Sequence, residues 1–304
     1  MLAGLPILLV VALLAGYLWA NSVFNKIDRV ETEGTLAGSG LGNGTNYLLV
    51  GSDSREAIEG GQAGISDGDF PSGQRSDTML ILHTGGDGTR LMSIPRDLYV
   101  EIADTGQNGK INGAFNGGPP RLIRTISENL DIPIHRYVEV DFVSFAGMVD
   151  ALGGITINFE HPAYDHNTGL FIPQAGPVEL NGEQALQYVR SRHYVEVING
   201  EDVEDPTADL GRIERQQAFL RAVFDKLGDT KNPITLARTL SSTADGLRID
   251  DEMSLFDAIR LAWALRGGLN PETLVLPTTI GSNEAGSVLL LNEDEAQPIL
   301  DQLR

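Results

Sequence analysis

RSDTMLILHTGGDGTRLMSIPRD, residues 75–97, holds two polar motifs separated by two apolar runs and a glycine-rich turn. Met79–Leu82 and Leu91–Ile94 read as strands, and Gly-Gly-Asp-Gly at 85–88 supplies a tight reversal between them, so the stretch predicts an antiparallel hairpin. Its open end would carry Arg-Ser-Asp-Thr (75–78) opposite Pro-Arg-Asp (95–97). Arg75 and Arg96 would then meet Asp77 and Asp97 in space although they are far apart in sequence. Such a set suits a site for a phosphate and a metal ion. Taken alone, it equally suits a surface hairpin with charged ends.

Upstream, Tyr47–Val50 is a short apolar strand that runs into Gly-Ser-Asp-Ser-Arg (51–55). The glycine permits a tight turn, and Asp53 and Arg55 would lie at the carboxyl edge of a sheet, where open α/β sheets place ligands. Residues 56–74, rich in glycine and acid, read as a loop. Downstream, KINGAFNGG (110–118) precedes a helical pattern over 121–130 with Leu122, Ile123, Ile126 and Leu130 on one face. Tyr137–Val140 reads as a strand, Asp141 can cap a helix through Val149, and Gly153-Gly154 separates that helix from a strand at Ile155–Phe159. This alternation predicts the α/β class, a central mixed β-sheet flanked by helices.

NGEQALQYVRSR (181–192) reads as a capped helix that delivers Arg190 and Arg192 at its end. Residues 196–209 are acidic and contain Pro206, which predicts a solvated loop. A helix opening at Gly211 and running through Leu227 would carry Arg212, Arg215 or Gln216, and Phe219 one turn apart. Its N-terminus favours anions. Beyond Gly228 come helical patterns at Ile234–Ala244 and Ser254–Leu265 and short strands at Thr273–Leu276 and Ser287–Leu290. That last quarter shows no cluster of reactive side chains and reads as a structural extension, 229–304, packed on a catalytic domain at 46–228.

At the other end, residues 2–20 carry no charge and are long enough to cross a bilayer core. Without a small-residue cleavage site after them, they predict a retained anchor over 1–22 rather than a cleaved signal or a buried helix. Lys26 and Arg29 follow the run, an order that by the positive-inside rule favours a cytoplasmic body. A basic leader upstream of Met1 would restore a body outside the cell. Residues 23–45, polar and glycine-rich, read as a linker.

Composition narrows the function. The 304 residues are 41% hydrophobic and 21% charged, the make-up of a folded protein. The absence of cysteine excludes disulfides and thiolate metal sites. A formal charge of −20 excludes a broad basic surface for nucleic acid or anionic membrane. The 22 cationic residues are mostly arginine, whose planar fork suits bidentate phosphate contacts, although a GC-rich genome would give the same bias. Position is more telling: Arg55, Arg75, Arg96, Arg190, Arg192, Arg212 and Arg215 all fall inside compact polar motifs. His161 and His166 share a loop with Asp165, but no third ligand is spaced to complete a zinc site, and they read as polar loop residues. Ser52 and Ser54, flanking Asp53 without a His-Asp partner, read as turn formers.

In this order the motifs resemble the LytR-CpsA-Psr family of bacterial cell-wall ligases. The matching pieces are NYLLVGSDSR (46–55), RSDT (75–78), SIPRD (93–97), KINGAF (110–115), DALGGI (150–155), EQALQYVRSR (183–192) and DLGRIERQQ (209–217). The resemblance implies a phosphotransferase that takes a glycan polymer from a polyprenyl-diphosphate carrier and joins it to peptidoglycan through a phosphodiester, with magnesium. By motif match, Asp53 and Asp77 would hold the Mg²⁺. Arg75, Arg96, Arg190, Arg192, Arg212 and Gln216 would bind the diphosphate, and Lys110 and Arg55 would support the site. Asp97 is a candidate base by adjacency, or a partner that pairs with Arg96 or caps a turn. The family's cell-membrane anchor, single-pass with the catalytic domain extracellular, agrees with the N-terminal run. An apolar tunnel for the prenyl chain would draw on 122–130 and 142–152, where the spacing fits an ordinary core as well. The same residues would also serve a polyprenyl-diphosphate pyrophosphatase with water as acceptor. A membrane-anchored binding or regulatory protein would hold the glycan-lipid without turnover.

Overall fold

The computed structural model describes residues 18, 20–38, 44–52, 76–86, 88–206, 209–229, 246–264, 272–283 and 286–304. After a short helical turn at 20–24, the chain forms β1 (Asp28–Val30), β2 (Thr45–Ser52), β3 (Ser76–Gly85) and β4 (Gly88–Ile94). A small hairpin, β5 (Tyr99–Ile102) and β6 (Gln107–Lys110), leads through a 3-10 turn at Ile111–Gly117 into α1 (Pro119–Leu130). Then follow β7 (Arg136–Asp141), α2 (Phe142–Ala151), β8 (Ile155–Phe159), β9 (Ala163–Asp165), β10 (Leu170–Ile172) and β11 (Gly176–Leu180). α3 (Gly182–Arg190), the hairpin β12 (Val195–Ile198) and β13 (Glu201–Glu204), and the long α4 (Asp209–Asp229) come next. β14 (Leu247–Asp250), α5 (Leu255–Ala264), β15 (Glu272–Val275), β16 (Thr278–Asn283), β17 (Gly286–Leu291) and α6 (Glu293–Leu300) follow.

Seven strands form the central sheet in the order β1-β14-β7-β2-β3-β4-β15. The sheet is mixed, as expected: β2 runs parallel to β7 and antiparallel to β3, and β3–β4 is the hairpin read from residues 75–97. Gly85 pairs with Gly88, leaving two residues at its tip. One face buries Leu48, Val50, Ile81, Met92 and Tyr137 against Leu122, Ile123, Ile126 and Leu130 of α1. These α1 side chains are closed into the core. The other face buries Tyr47, Leu80, Leu82 and Leu91 under Phe24, Ile27 and the inner side of α5. A third core, between β8–β10 and α2–α4, holds Ile155, Phe159, Tyr188, Phe219 and Val223.

α1 starts two residues earlier than its apolar pattern, on Pro119 and Pro120, because proline loses no hydrogen bond in a helix's first turn. α3 begins at an Asn181 capping box in which Asn181 Oδ1 accepts the Gln184 amide at 2.9 Å. Gly182 follows it because a Cβ there would come 2.2 Å from the Ala146 carbonyl oxygen, so α3 rests directly on α2.

Three sequence expectations differ from the structure. The stretch 229–304 is not set apart from 46–228, since its β14 and β15 are strands of the central sheet. The linker 23–45 contains β1, and Phe24, Ile27 and Val30 within it are buried. The acidic stretch after His193 is a hairpin, turning at Asn199 and Gly200 with φ of 54° and 85°. Among the described residues no helix is long and apolar enough to cross a membrane. Most of the expected anchor, the 56–74 loop and the 234–244 helix lie outside the described residues.

Candidate functional site

β2 ends at Ser52, whose Cα partner on parallel β7 is Asp141, and both side chains are buried. Ser52 thus lies at the carboxyl edge that β2 shares with parallel β7. Asp53, Arg55 and Arg75 lie outside the described residues, as does the side chain of Asp77, whose backbone belongs to β3. Ser52 Oγ is buried with no hydrogen-bond partner among the described residues. An orphan hydroxyl beside a buried carboxylate is an oxygen-rich edge that fits a hard cation taking few protein ligands. Among the described residues no three His, Asp or Glu side chains gather as metal ligands.

At the open end of the β3–β4 hairpin, Arg96 and Asp97 follow β4 into a latch. The Ile111 amide donates to the Leu98 carbonyl at 2.8 Å and the Asn112 amide to the Arg96 carbonyl at 3.2 Å. β6, paired with β5 so that Lys110 faces Tyr99, brings the Lys110 ammonium back to this end of the sheet. Lys110 Nζ lies 2.8 Å from Asp97 Oδ1, and Arg96 Nε lies 3.3 Å from Asp97 Oδ2. Burial pushes the Asp97 carboxyl up, but the bond from Lys110 and the two cations outweigh it and hold the group below the usual carboxylate range. Asp97 is thus held ionised and pairs with both Lys110 and Arg96.

The second cluster forms where α3 ends and α4 begins. α3 stops at Arg190, and Ser191 takes an extended conformation, so Arg192 lies in the turn beyond the helix rather than on it. Arg212, Arg215 and Gln216 occupy the first turns of α4 and are all buried, Arg212 to 3% exposure despite its charge. The choice between Arg215 and Gln216 resolves into two different jobs. Gln216 Nε2 donates to the Val189 carbonyl at 3.4 Å, against the last turn of α3. Arg215 donates to the Ser191 carbonyl at 3.0 Å and to Asp205 Oδ2 at 2.8 Å, and stacks 4.5 Å from the Tyr194 ring centre. Phe219 and Val223, one and two turns on, anchor α4 in the third core. Arg190, Arg192, Arg212 and Gln216 are thereby gathered on one pair of helix ends.

Sequence reasoning missed Asp205, dissolved in an acidic run, and Asp165, whose loop was read as plain. The one local signal was Asn199-Gly200, a two-residue hairpin turn that folds the acidic run back and carries Asp205 to Arg215.

A model of the LytR_cpsA_psr family matches residues 11–304. A probable cell wall biosynthesis protein, LcpB of Corynebacterium glutamicum, is 33% identical over 301 residues, which cover 94% of this chain and 66% of that protein. The polyisoprenyl-teichoic acid–peptidoglycan teichoic acid transferase TagU of Oceanobacillus iheyensis is 30% identical over 228 residues, 72% of this chain and 62% of its own length. The chain thus spans less than two thirds of either relative. Among solved structures, the LytR-Csp2A-Psr enzyme from Actinomyces oris superposes with a TM-score of 0.72 at 23% identity, covering 91% of this chain and 95% of that one. At that identity the likeness is one of fold.

Proposed function

Since the chain belongs to the LytR-CpsA-Psr family, we propose that it is a phosphotransferase that moves a glycan polymer from a polyprenyl-diphosphate carrier onto peptidoglycan. The observation that carries this reading is the buried arginine cluster at the α3–α4 junction. A chain of formal charge −20 buries Arg212 there, next to the helix end that carries Arg190 and Arg192, while Asp205 holds the neighbouring Arg215; this concentration of planar cationic forks suits a multiply charged anion. TagU's name describes such a transfer in a relative, with teichoic acid as the polymer.

In this reading the acceptor hydroxyl attacks the phosphorus that bears the glycan. The new P–O bond makes the phosphodiester, the bond to the bridging oxygen breaks, and the lipid leaves as polyprenyl phosphate while the hydroxyl proton passes to a base. Phosphoryl transfer depends mainly on positioning and on spreading charge. Arg190, Arg192, Arg212 and Gln216 would grip the diphosphate from the helix side, Arg75 and Arg96 from the hairpin side, with Lys110 and Arg55 in support. Asp53 and Asp77 would hold Mg²⁺, which neutralises charge on the phosphate oxygens when bound. Residues 2–20 would serve as the single-pass anchor, with the catalytic body outside the cell.

The test is to incubate the purified full-length protein, in detergent with Mg²⁺, with a polyprenyl-diphosphate-linked glycan, with and without peptidoglycan fragments. Acceptor-dependent glycan–peptidoglycan product is the expected result. Phosphate release that ignores the acceptor would instead make the protein a pyrophosphatase. Binding with no turnover would make it a carrier or regulatory module.

A further inference from the structure

Asp165, at the end of β9, is completely buried, yet every donor that reaches its carboxylate among the described residues is an uncharged amide or hydroxyl. Oδ1 accepts the amides of Asn167 and Thr168, at 2.8 and 3.4 Å, and closes the turn into β10. Oδ2 faces the other way and accepts three donors from consecutive residues: Ser191 Oγ at 2.6 Å, the Arg192 amide at 3.1 Å and the His193 amide at 3.0 Å. The Arg192 backbone amide is thus held by Asp165, while Arg215 holds the Ser191 carbonyl. Successive amides of this kind form a concavity that binds anions. Here the protein's own carboxylate fills it, so an incoming diphosphate meets the arginine side chains rather than these amides. Burial pushes the Asp165 carboxyl up, but the Ser191 hydroxyl and the three amides of Asn167, His193 and Thr168 prevail and keep it ionised.

We propose that Asp165 is a positioning residue that presets Arg192 for the substrate diphosphate by fixing the Ser191–His193 backbone, an inference that rests on the phosphotransferase reading. It acts through Arg192 and touches no substrate itself. Asp165→Asn keeps the shape but removes the charge and one of the two acceptor oxygens, so in either orientation of its amide the five donors cannot all be met.

The probe is inorganic pyrophosphate with Mg²⁺, titrated into the full-length protein by calorimetry. Asp165→Asn is expected to weaken binding about tenfold, the size of a lost charge-assisted hydrogen bond. In an Arg192→Ala background the same change is expected to cost less than about twofold, because its effect runs through that side chain. Ser191→Ala, which keeps the carboxylate and both amides, is expected to lose about threefold in the wild-type background and nothing in Arg192→Ala. It carries the test if Asp165→Asn does not fold. Equal losses with and without Arg192 would overturn the inference, since a purely structural residue gives additive losses. So would wild-type binding in Asp165→Asn where Arg192→Ala is impaired, and this outcome leaves the phosphotransferase reading standing. A wild-type protein that binds no pyrophosphate would remove that reading and this inference with it.

Discussion

Arg215 donates at once to Asp205 and to the Ser191 carbonyl, with its guanidinium stacked on Tyr194. Side-chain exposures of 8% for Arg215 and 15% for Asp205 make this a nearly desolvated pair. Removing one partner strands the other, which typically costs about 3–5 kcal/mol. Arg215→Ala is therefore expected to lower stability by about that much in urea denaturation, and Arg215→Lys to recover only part of it, because an ammonium lacks the planar fork that serves both acceptors. A loss below about 1 kcal/mol for Arg215→Ala would mean that the pair is solvated in solution. Arg215 stood in the sequence as one of two alternatives on a helical face. Its work differs from that of Gln216 because of two acceptors, at Ser191 and Asp205, that no helical spacing announces. Asp165 was likewise illegible, since its partners at 191–193 come from a turn 26 to 28 residues away.

At the scale of elements, what was legible had local causes: the glycine turn between β3 and β4, the Asn181 capping box of α3, the apolar stripe of α1. β12–β13 is hidden in the sequence because its acidic residues mask the alternation of Val195, Val197 and Val203. β1 is three residues long and, among the described residues, pairs with the distant β14, so it carries no signal of its own. The starts of β2 and β7 show how a non-local pairing becomes sensitive to acid. His135 Nδ1 accepts the Asn46 amide at 3.0 Å, a bond that requires the neutral ring. Asn46 Nδ2 donates to the carbonyls of Pro133 and Leu303, so Asn46 Oδ1 is left to accept from His83 Nδ1 at 2.7 Å. Burial, then the charges of Arg136, His83 and Arg260, hold the His135 pKa below 6.5. The neutral form is thus favoured in the folded state. This contribution to stability is complete above the unfolded value of about 6.5 and is lost as pH falls from there through the folded value. Melting temperature is expected to drop between pH 7.5 and about 5, and His135→Gln to flatten that part of the profile. An unchanged slope in the variant would assign the acid sensitivity elsewhere.

The whole molecule is organised around a sheet whose strands come from both halves of the chain. β14 lies between β1 and β7, and its Asp250 carboxylate accepts the Tyr137 amide at 2.9 Å. A chain cut after Gly228 would lose β14 and β15, leaving β7 with an open edge and β1 with nothing to pair. Such a chain is expected to show no cooperative thermal transition by circular dichroism, whereas the full chain melts in one. A cooperative melt near the full-length temperature would establish 46–228 as a unit that folds alone.

The same placement of β14 bears on how the protein is made. Arg29, the middle residue of β1, donates to the backbone of Asp250, 221 residues later in the chain. Once β7 has been made, it presents a bare edge to the surrounding medium until β14, at Leu247–Asp250, emerges. Pairings of such long sequence separation close slowly and leave sticky intermediates while they wait. The nascent chain must therefore be sheltered between the making of β7 and that of β14, and refolding in a test tube should lose material to aggregation at the stage before β14 docks.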